Sequence, residues 1–292
     1  MSDRPDLIVV GDVMVDVIVD AGALATGGDV HGDVRLRPGG AGANAAVWAA
    51  CEGVRVRLHA RVGDDLPGRF VAEAVAARGV DCRFAVDTEA RTGAMLVIRQ
   101  AGERSMVADR GANARLSADD LPLRLEAGAV LVSGYLLFHP GSQPAALAAL
   151  ERADAALVAV DAASWPLLES YGADRFVEVI ANANVLLLNE REAEVLARDA
   201  GVSLEDRFAL VCRKRGAEGA VLSSAGRSST ARSDPVDRPL DPTGAGDAFD
   251  GVLLAALAGG ASEEEALRRA CDAGRAVVMA AETWPLAGEP AP

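Results

Sequence analysis

The sequence predicts an α/β fold in which a mostly parallel central sheet carries helices on both faces. Short apolar runs typical of buried strands, such as "DLIVV", "AVLVS" and "VLLLN", alternate with helical segments along most of the chain. This alternation is the pattern of a parallel sheet with crossover helices. Half of the 292 residues are hydrophobic, which allows a sizeable buried core. We expect a single domain over residues 1–292.

Two segments depart from this alternation. Residues 13–38 and 92–109 have the pattern of amphipathic hairpins. The run "DVRLRP" alternates apolar with charged residues, as a strand with one solvated face does. Two strand-like runs flank "QAGE" at residues 100–103, which is a predicted hairpin turn. We expect the two segments to pair as a small separate sheet.

The composition excludes several classes of protein. The formal net charge of −14 argues against non-specific nucleic-acid binding, which needs a basic field. The chain has no uncharged apolar run of about 18 residues, the length that a membrane span needs. The start "MSDRPDLIVV" is acidic where a signal peptide is cationic. We therefore expect a cytoplasmic protein that binds neither nucleic acid nor membrane.

The stretch "DPTGAGDAFDG" near the end of the chain carries the strongest chemical signal. The small residues Gly244, Ala245 and Gly246 leave backbone N–H groups open to a ligand. A helix that begins near Asp247 would direct its free N–H groups and its dipole to the same place, which favours an anion. A carboxylate repels phosphate, but Asp247 could take the proton from a hydroxyl that attacks phosphorus. The alternative is that Asp247 only caps the helix.

Two further stretches could bind a polyhydroxylated acceptor. Asp12 and Asp16 follow the first strand, where parallel sheets place ligands, and a carboxylate can accept hydrogen bonds from two hydroxyls. In "PGGAGANAA", Gly40 and Asn44 could offer N–H groups and an amide. The alternatives are a solvated loop acid for Asp12 and an unliganded helix start for the glycine-rich stretch. A G-x-G-x-x-A match at residues 40–45 leaves an NAD-linked oxidoreductase as a further alternative.

Asn189 and Glu192 lie just beyond a predicted strand, three residues apart at a helix start. They would share one face of that helix, where they could hold a hydrated Mg²⁺ near phosphates. A pair at this spacing could equally cap the helix. The chain has no GxxxxGK[ST] motif, which excludes a P-loop NTPase.

In this order, "GDVMVD", "GGAGAN", "NEREAE" and "DPTGAGDAFDGVLLAAL" resemble the ribokinase-like sugar kinases, also called the phosphofructokinase B family. The segment "RGANARLS" is similar to the ribokinase branch, and the resemblance spans nearly the whole chain. It implies a ribokinase-like three-layer α/β core with a small β-sheet lid, formed by the two hairpin-like segments. It also implies phosphorylation of an alcohol with ATP and Mg²⁺, and it leaves open whether a monovalent cation takes part.

The resemblance implies roles for individual residues. Asp247 matches the catalytic base of the family, and the three small residues before it match the anion hole around the transferring phosphoryl group. Asn189 and Glu192 match the pair that organises Mg²⁺ and phosphate through water. The positions that match sugar contacts are Asp16, Gly40 and Asn44. On the nucleotide side, the matching positions are Lys214, Gly216 and Gly219 in the loop "KRGAEG", with Asp272 near a family Asn that lies by the adenine.

Three polar sugar contacts of ribokinases are replaced in this chain. Met14 stands in place of Asn, Ala41 in place of Lys, and Tyr135 about where a sugar-binding Glu lies. These changes leave phosphoryl transfer possible but the acceptor open, and Tyr135 becomes a candidate substrate contact. The sequence thus predicts a sugar kinase, with a nucleoside kinase of the same family and a non-catalytic sugar-binding protein as alternatives. An exposed edge of the lid sheet would also permit a homodimer.

Overall fold

A computed structural model describes residues 4–22, 24–100, 103–199, 203–237, 239–280 and 283–285. Its strands are β1 (Leu7–Val10), β2 (Met14–Ala21), β3 (Gly32–Gly39), β4 (Val56–Gly63), β5 (Asp81–Asp87), β6 (Gly93–Gln100), β7 (Glu103–Asp109), β8 (Leu125–Glu126), β9 (Ala129–Ser133), β10 (Ala153–Asp154), β11 (Leu157–Asp161), β12 (Val185–Asn189), β13 (Leu210–Lys214), β14 (Ala220–Ser224) and β15 (Arg227–Ala231). Its helices are α1 (Ala41–Cys51), α2 (Leu66–Ala76), α3 (Gly134–Leu137), α4 (Gln143–Arg152), α5 (Trp165–Tyr171), α6 (Ala173–Val179), α7 (Glu190–Asp199), α8 (Leu204–Arg207), α9 (Ala245–Ala258) and α10 (Glu263–Met279).

The central sheet has nine strands in the order β15-β14-β13-β12-β11-β9-β1-β4-β5. Every neighbouring pair from β5 to β13 is parallel, and β14 and β15 add an antiparallel edge. All residues of β1 and β9 are buried, as expected of parallel strands covered on both faces. The predicted mostly parallel sheet is therefore confirmed.

Two hydrophobic cores lie on opposite faces of this sheet. Successive side chains of a strand point to opposite faces, and β1 divides in this way: Leu7 and Val9 belong to one core, Ile8 and Val10 to the other. The first core also contains residues of α1, α9 and α10, and the second contains residues of α4 and α6. The result is the three-layer α/β architecture that the resemblance implied.

The two hairpin-like segments pair into a separate four-stranded sheet in the order β3-β2-β6-β7. The outer pairs are antiparallel and the central pair, β2 with β6, is parallel. Residues 101 and 102 of the predicted hairpin turn lie outside the described residues. We call this sheet the small sheet. Its pairing agrees with the prediction for segments 13–38 and 92–109, while the single-domain boundary 1–292 stays a prediction.

Helix α1 follows β3 of the small sheet, and this position bears on the NAD-linked alternative. A dinucleotide fingerprint joins a buried strand of the parallel sheet to a helix. Here the G-x-G-x-x-A match at residues 40–45 instead follows an antiparallel strand outside the central sheet. The structural context of the fingerprint is therefore missing at this match.

Among the helices of the described ranges, none has both the length and the apolar composition that a membrane crossing requires.

Candidate active site

Helix α9 begins at a bare backbone loop. Its N-cap is Gly244, whose φ of 82° lies in the left-handed region that glycine adopts without a steric penalty. Within the described residues no side chain caps the helix, and the Ala245 N–H donates to the Pro242 carbonyl at 3.2 Å. The first turn thus presents backbone N–H groups and the positive end of the helix dipole, which suit an anion.

Asp247 lies in the first turn of α9 and is held from another helix. Its Oδ2 accepts a hydrogen bond from Asn44 Nδ2 at 2.8 Å, and Asn44 Oδ1 accepts one from Trp284 Nε1 at 2.7 Å. Because an indole N–H can only donate, it fixes which end of the Asn44 amide faces Asp247. Gly244 occupies the cap position, so Asp247 is not the N-cap of the helix.

The surroundings of Asp247 favour a carboxylate that can exchange a proton near neutral pH. Burial raises its pKa to about 6, and the hydrogen bond from Asn44 opposes this rise. The negative charge of Asp161 raises the pKa further, while the ammonium group of Lys214 lowers it. The efficiency of a general base is highest when its pKa lies near the working pH.

Asp16 on β2 faces the same space from the small sheet. Burial raises its pKa to about 7, the negative charge of Asp247 adds to the rise, and Arg37 opposes it. Arg37 is the registered partner of Asp16 on β3. Both side chains line a cleft with Asp241 and Thr243 of the loop before α9. The predicted acceptor residue Asp16 and the predicted base Asp247 are therefore neighbours.

Asp12 is buried and already paired. Arg110 donates to both of its carboxylate oxygens, at 2.8 and 3.2 Å. The same guanidinium lies 6.0 Å from the centre of the Tyr135 ring. Burial raises the pKa of the Tyr135 phenol, and the charge of Asp247 adds to that effect. Asp12 is therefore not a solvated loop acid, and both of its carboxylate oxygens already accept hydrogen bonds from Arg110.

The glycine-rich stretch forms the start of α1 against the loop after β1. Gly40 is the N-cap of α1, and its carbonyl accepts a hydrogen bond from the Asn44 N–H at 2.8 Å. The Ala43 N–H donates to the Asp12 carbonyl at 3.1 Å. These bonds bring the predicted acceptor residues Asp12, Gly40 and Asn44 together beside Asp247.

A pocket of about 500 Å³ opens on the other side of the first turn of α9. Much of its wall is apolar, with Phe249 and Val278 among its residues. A pocket of this size and character suits a flat organic group such as a nucleobase. The predicted residues that line it are Lys214, Gly216, Gly219, Ala245 and Gly246.

Asp272 does not line the pocket that contains the other predicted nucleotide-binding residues. Its carboxylate accepts a hydrogen bond from Arg268 at 2.9 Å, one turn earlier on α10. The neighbours Cys271, Gly274 and Arg275 line the pocket, and Asp272 is not among the lining residues. The helix turns this side chain away from the pocket wall, so the placement of Asp272 beside an adenine lacks support from the geometry.

Lys214 lines the pocket, but its ammonium group points into the protein. Nζ donates to Asp161 Oδ1 at 3.0 Å and to Asp250 Oδ2 at 2.7 Å. Burial opposes the charged form of the lysine, yet the charges of Asp161 and Asp250 raise its pKa well above the usual value. This side chain is therefore committed to an internal ion pair rather than extended toward solvent.

Asn189 and Glu192 bond each other at the start of α7. Glu192 accepts from the Asn189 N–H at 2.8 Å and from its amide at 2.6 Å, and the Glu192 N–H donates to Asn189 Oδ1 at 3.1 Å. This is the capping arrangement that the sequence allowed. Glu192 is only 2% exposed; burial raises its pKa to about 7, and the charge of Asp161 adds to the rise. No set of three or more His, Cys, Asp or Glu residues with metal-binding geometry exists in the part of the chain that the structure describes.

Residues 4–285 match the description pfkB family carbohydrate kinase. The chain belongs to this family. A ribokinase from Haemophilus influenzae is 26% identical over 283 residues, covering 91% of this chain and 89% of the relative. The protein is therefore a carbohydrate kinase, and kinases of this family bind ATP with Mg²⁺.

Solved structures agree on the fold of this pfkB family kinase. An adenosine kinase from Sinorhizobium meliloti superposes with a TM-score of 0.85 at 21% identity, covering 97% of this chain and 96% of that one. An E. coli protein described as Ribokinase II, in complex with ATP and Mg²⁺, superposes with a TM-score of 0.81 at 24% identity over 96% and 94% of the two chains. At these identities the likeness establishes the ribokinase-type fold and does not identify the acceptor.

Several residues of the kinase site were not predicted from the sequence. Asp161 ends β11, and the strand-end rule that selected Asp12 could have found it. Asp250 follows Asp247 by three residues on α9, so both lie on one face of the helix. Arg110 opens the segment "RGANARLS", but the motif does not reveal its pairing with Asp12, and Trp284 carries no motif signal. Both roles depend on partners far away in the chain.

Proposed function

We propose that this carbohydrate kinase transfers the terminal phosphoryl group of ATP to a hydroxyl of a sugar or nucleoside, and that Asp247 takes the proton. The observation that carries the proposal is the position of Asp247. It lies in the first turn of α9, between the 500 Å³ pocket lined by Gly246 and the acceptor residues that include Asn44.

The pocket supports a nucleotide on its large side. Ala245 and Gly246 line it with little or no side chain, so phosphates can approach the free N–H groups of the first turn of α9. Gly216 leaves open space on the opposite wall, since no atom lies within 4 Å of where its Cβ would be. Asn189 and Glu192 offer the oxygen atoms that Mg²⁺ prefers, and a bound Mg²⁺ would supply positive charge to the phosphates.

The protein groups would act in the following way. Asp16, Gly40 and Asn44 orient the acceptor, and Asp247 receives the hydroxyl proton late, as the loose transition state develops. Backbone N–H groups at the start of α9 stabilise the charge on the transferring group. The small sheet would exclude water, which would otherwise compete as an acceptor.

The acceptor is tested by measuring ADP release, with ATP and Mg²⁺, across pentoses, hexoses, sugar acids and nucleosides. One or more acceptors should accelerate ADP release, and Asp247→Asn should abolish the acceleration while nucleotide binding persists. The expected loss of turnover is about 10³-fold or more, because the base and the charge it carries are removed together. Loss of nucleotide binding in a folded Asp247→Asn protein would contradict the role of Asp247. Stabilisation by a sugar without any ATP turnover would favour the non-catalytic alternative.

The use of a monovalent cation and a cytoplasmic location stay predictions. The same ADP-release assay, run with K⁺, Na⁺ and a bulky organic cation in turn, tests the first. Fractionation of the native host's cells, followed by activity measurement, tests the second.

We also propose a homodimer through the small sheet. One row of its outward-facing positions crosses all four strands, pairing Leu36 with Val17, Val17 with Leu96 and Leu96 with Val107. Leu36 and Val107 are 63% and 62% exposed, so this row forms an apolar stripe on the surface of the single chain. An apolar stripe can pack against its own copy across a twofold axis.

A further inference from the structure

A buried charged cluster lies directly behind the proposed base. It consists of Lys214, Asp161 and Asp250, and we call it the lysine cluster. The Lys214 ammonium donates to both carboxylates, at 3.0 Å to Asp161 and 2.7 Å to Asp250. The three residues come from the ends of β13 and β11 and from α9, so the cluster joins three elements of the fold.

The lysine cluster adjoins the reacting region on two sides. Asp161, Asp250 and Asp247 all line one small cavity of about 10 Å³, which is close to the space that one water molecule needs. On the other side, Lys214 Nζ lies 3.6 Å from where a Cβ on Gly246 would be. The cluster therefore adjoins both Gly246, in the first turn of α9, and the cavity at Asp247.

Two polar atoms at this place have no protein partner. Within the described residues, Asp250 Oδ1 and Ser133 Oγ are buried and accept or donate no hydrogen bond. Both residues line the small cavity with Asp247. Buried polar atoms are rarely left unpaired, so the cavity has the character of a water site that links the cluster to the base.

The charges at the cavity oppose one another. Three carboxylates in so small a space repel one another. The Lys214 ammonium lies within hydrogen-bond distance of two of them. Its positive charge favours the ionised form of Asp247, whereas the charge of Asp161 disfavours it.

We propose that Lys214 is a positioning residue for phosphoryl transfer: it balances Asp161 and Asp250 and thereby keeps Asp247 in the ionised form that can accept a proton. This inference rests on the proposed role of Asp247 as the base. It gives Lys214 a function different from the nucleotide contact that the sequence resemblance implied.

Other charged groups face Asp247 and stay in place in the test. They come from the loop after β1, from the small sheet, from the residue before the 3₁₀ helix Gly111–Arg115, from α3, from α7 and from the loop before α9. The titratable and charged groups among them are Asp12 with Arg110, Asp16 with Arg37, Asp241, Tyr135 and Glu192.

The test is a cycle of three variants. Lys214→Met removes a positive charge near Asp247, which raises the pKa of that carboxylate. The acid limb of the kcat/KM profile should therefore move to higher pH by about one pH unit, and activity should fall most at pH 6. Asp161→Asn removes a negative charge and should move the acid limb to lower pH. The double variant Lys214→Met/Asp161→Asn should return it close to the native position, because the opposing charges are removed together.

The control is Arg213→Met, which removes one positive charge from the preceding residue of β13. Arg213 donates to Glu205 at 2.5 Å, away from the cavity, so the acid limb should not move. An unshifted limb in Lys214→Met, or an equal shift in the control, would overturn the proposal. If Lys214→Met does not fold, the comparison of Asp161→Asn with the double variant measures the same effect of Lys214.

A second readout separates this inference from the proposed function. Carboxyl ¹³C NMR on protein with labelled aspartate follows the titration of Asp247 directly, and the resonance is identified by its loss in Asp247→Asn. A higher titration midpoint in Lys214→Met supports the inference even if no acceptor is found and the proposed function fails. An unchanged midpoint contradicts it even if the enzyme is active.

Discussion

At the scale of single residues, the site depends on atoms whose positions leave few alternatives. The Asn44 amide is the clearest case, because Trp284 occupies its oxygen and thereby directs its NH₂ group to Asp247. An ionised aspartate at position 44 could accept from Trp284 but could not donate to Asp247. The amide that holds the proposed base is thus itself oriented by a side chain 240 residues further along the chain.

Gly244 should be intolerant of any side chain. An added Cβ would meet the left-handed penalty at φ 82° and would also lie 2.4 Å from the Thr283 methyl group. We expect Gly244→Ala to lower the free energy of unfolding by about 3 kcal/mol and to reduce kcat. Urea denaturation and the ADP-release assay measure the two effects.

Gly53 provides a matched control for this substitution. Its φ is 78°, but no atom lies within 4 Å of its Cβ position. Gly53→Ala should therefore cost only the backbone penalty of about 1–2 kcal/mol and leave kcat unchanged. Equal losses of stability in both variants would show that the contact with Thr283 has no effect.

At the scale of elements, the small sheet is tied to the loop before α9. Arg99 on β6 and Arg104 on β7 both donate to Asp241, with Arg104 at 2.9 Å, and Arg104 also donates to the Thr243 hydroxyl. Asp241 in turn accepts from the Thr243 N–H at 2.9 Å. Two strands of the small sheet therefore hold the loop that leads into the first turn of α9.

Removing one of these hydrogen bonds should loosen the contact between the small sheet and the loop before α9, beside the proposed acceptor site. We expect Arg104→Met to raise the acceptor KM about fivefold, the effect of losing roughly 1 kcal/mol of charge-assisted bonding. ATP hydrolysis without acceptor should rise as well, because water gains access. Arg124→Met is the control, since Arg124 pairs with Asp154 elsewhere on the surface. Unchanged KM and hydrolysis in Arg104→Met would mean that the small sheet does not depend on this contact.

At the scale of the whole molecule, the apolar stripe of the small sheet predicts the assembly state. Leu36→Lys should weaken the homodimer at least about tenfold, because a central apolar contact becomes a buried charge. Light scattering over a concentration series measures the change. Leu123→Lys is the control: Leu123 is 86% exposed and lies two residues before β8, which pairs with β10 and not with the small sheet. A native protein that stays monomeric at high concentration would refute the dimer.

The sequence predicted the large features because they rest on local patterns. Apolar runs located the strands of the central sheet, their amphipathic counterparts located the small sheet, and glycine spacing located the starts of α1 and α9. Pairings between distant residues were out of reach, since Lys214 and Asp161 are 53 residues apart and Arg110 and Asp12 are 98 apart. The placement of Asp272 beside an adenine stays a prediction: its neighbours Cys271 and Gly274 line the pocket, and a one-residue change of helical phase separates side chains that face the wall from those that do not.

The last described residues have a practical meaning for anyone who handles this protein. Trp48 of α1 donates to the Thr283 carbonyl at 2.9 Å, and the indole of Trp284 holds Asn44. Residues 283 and 284 are therefore held against α1, the helix that carries Asn44. A fusion or cleavage that disturbs residues 283 and 284 would therefore disturb Asn44 and, through it, Asp247. Laboratories that compare turnover between preparations should keep this part of the chain identical.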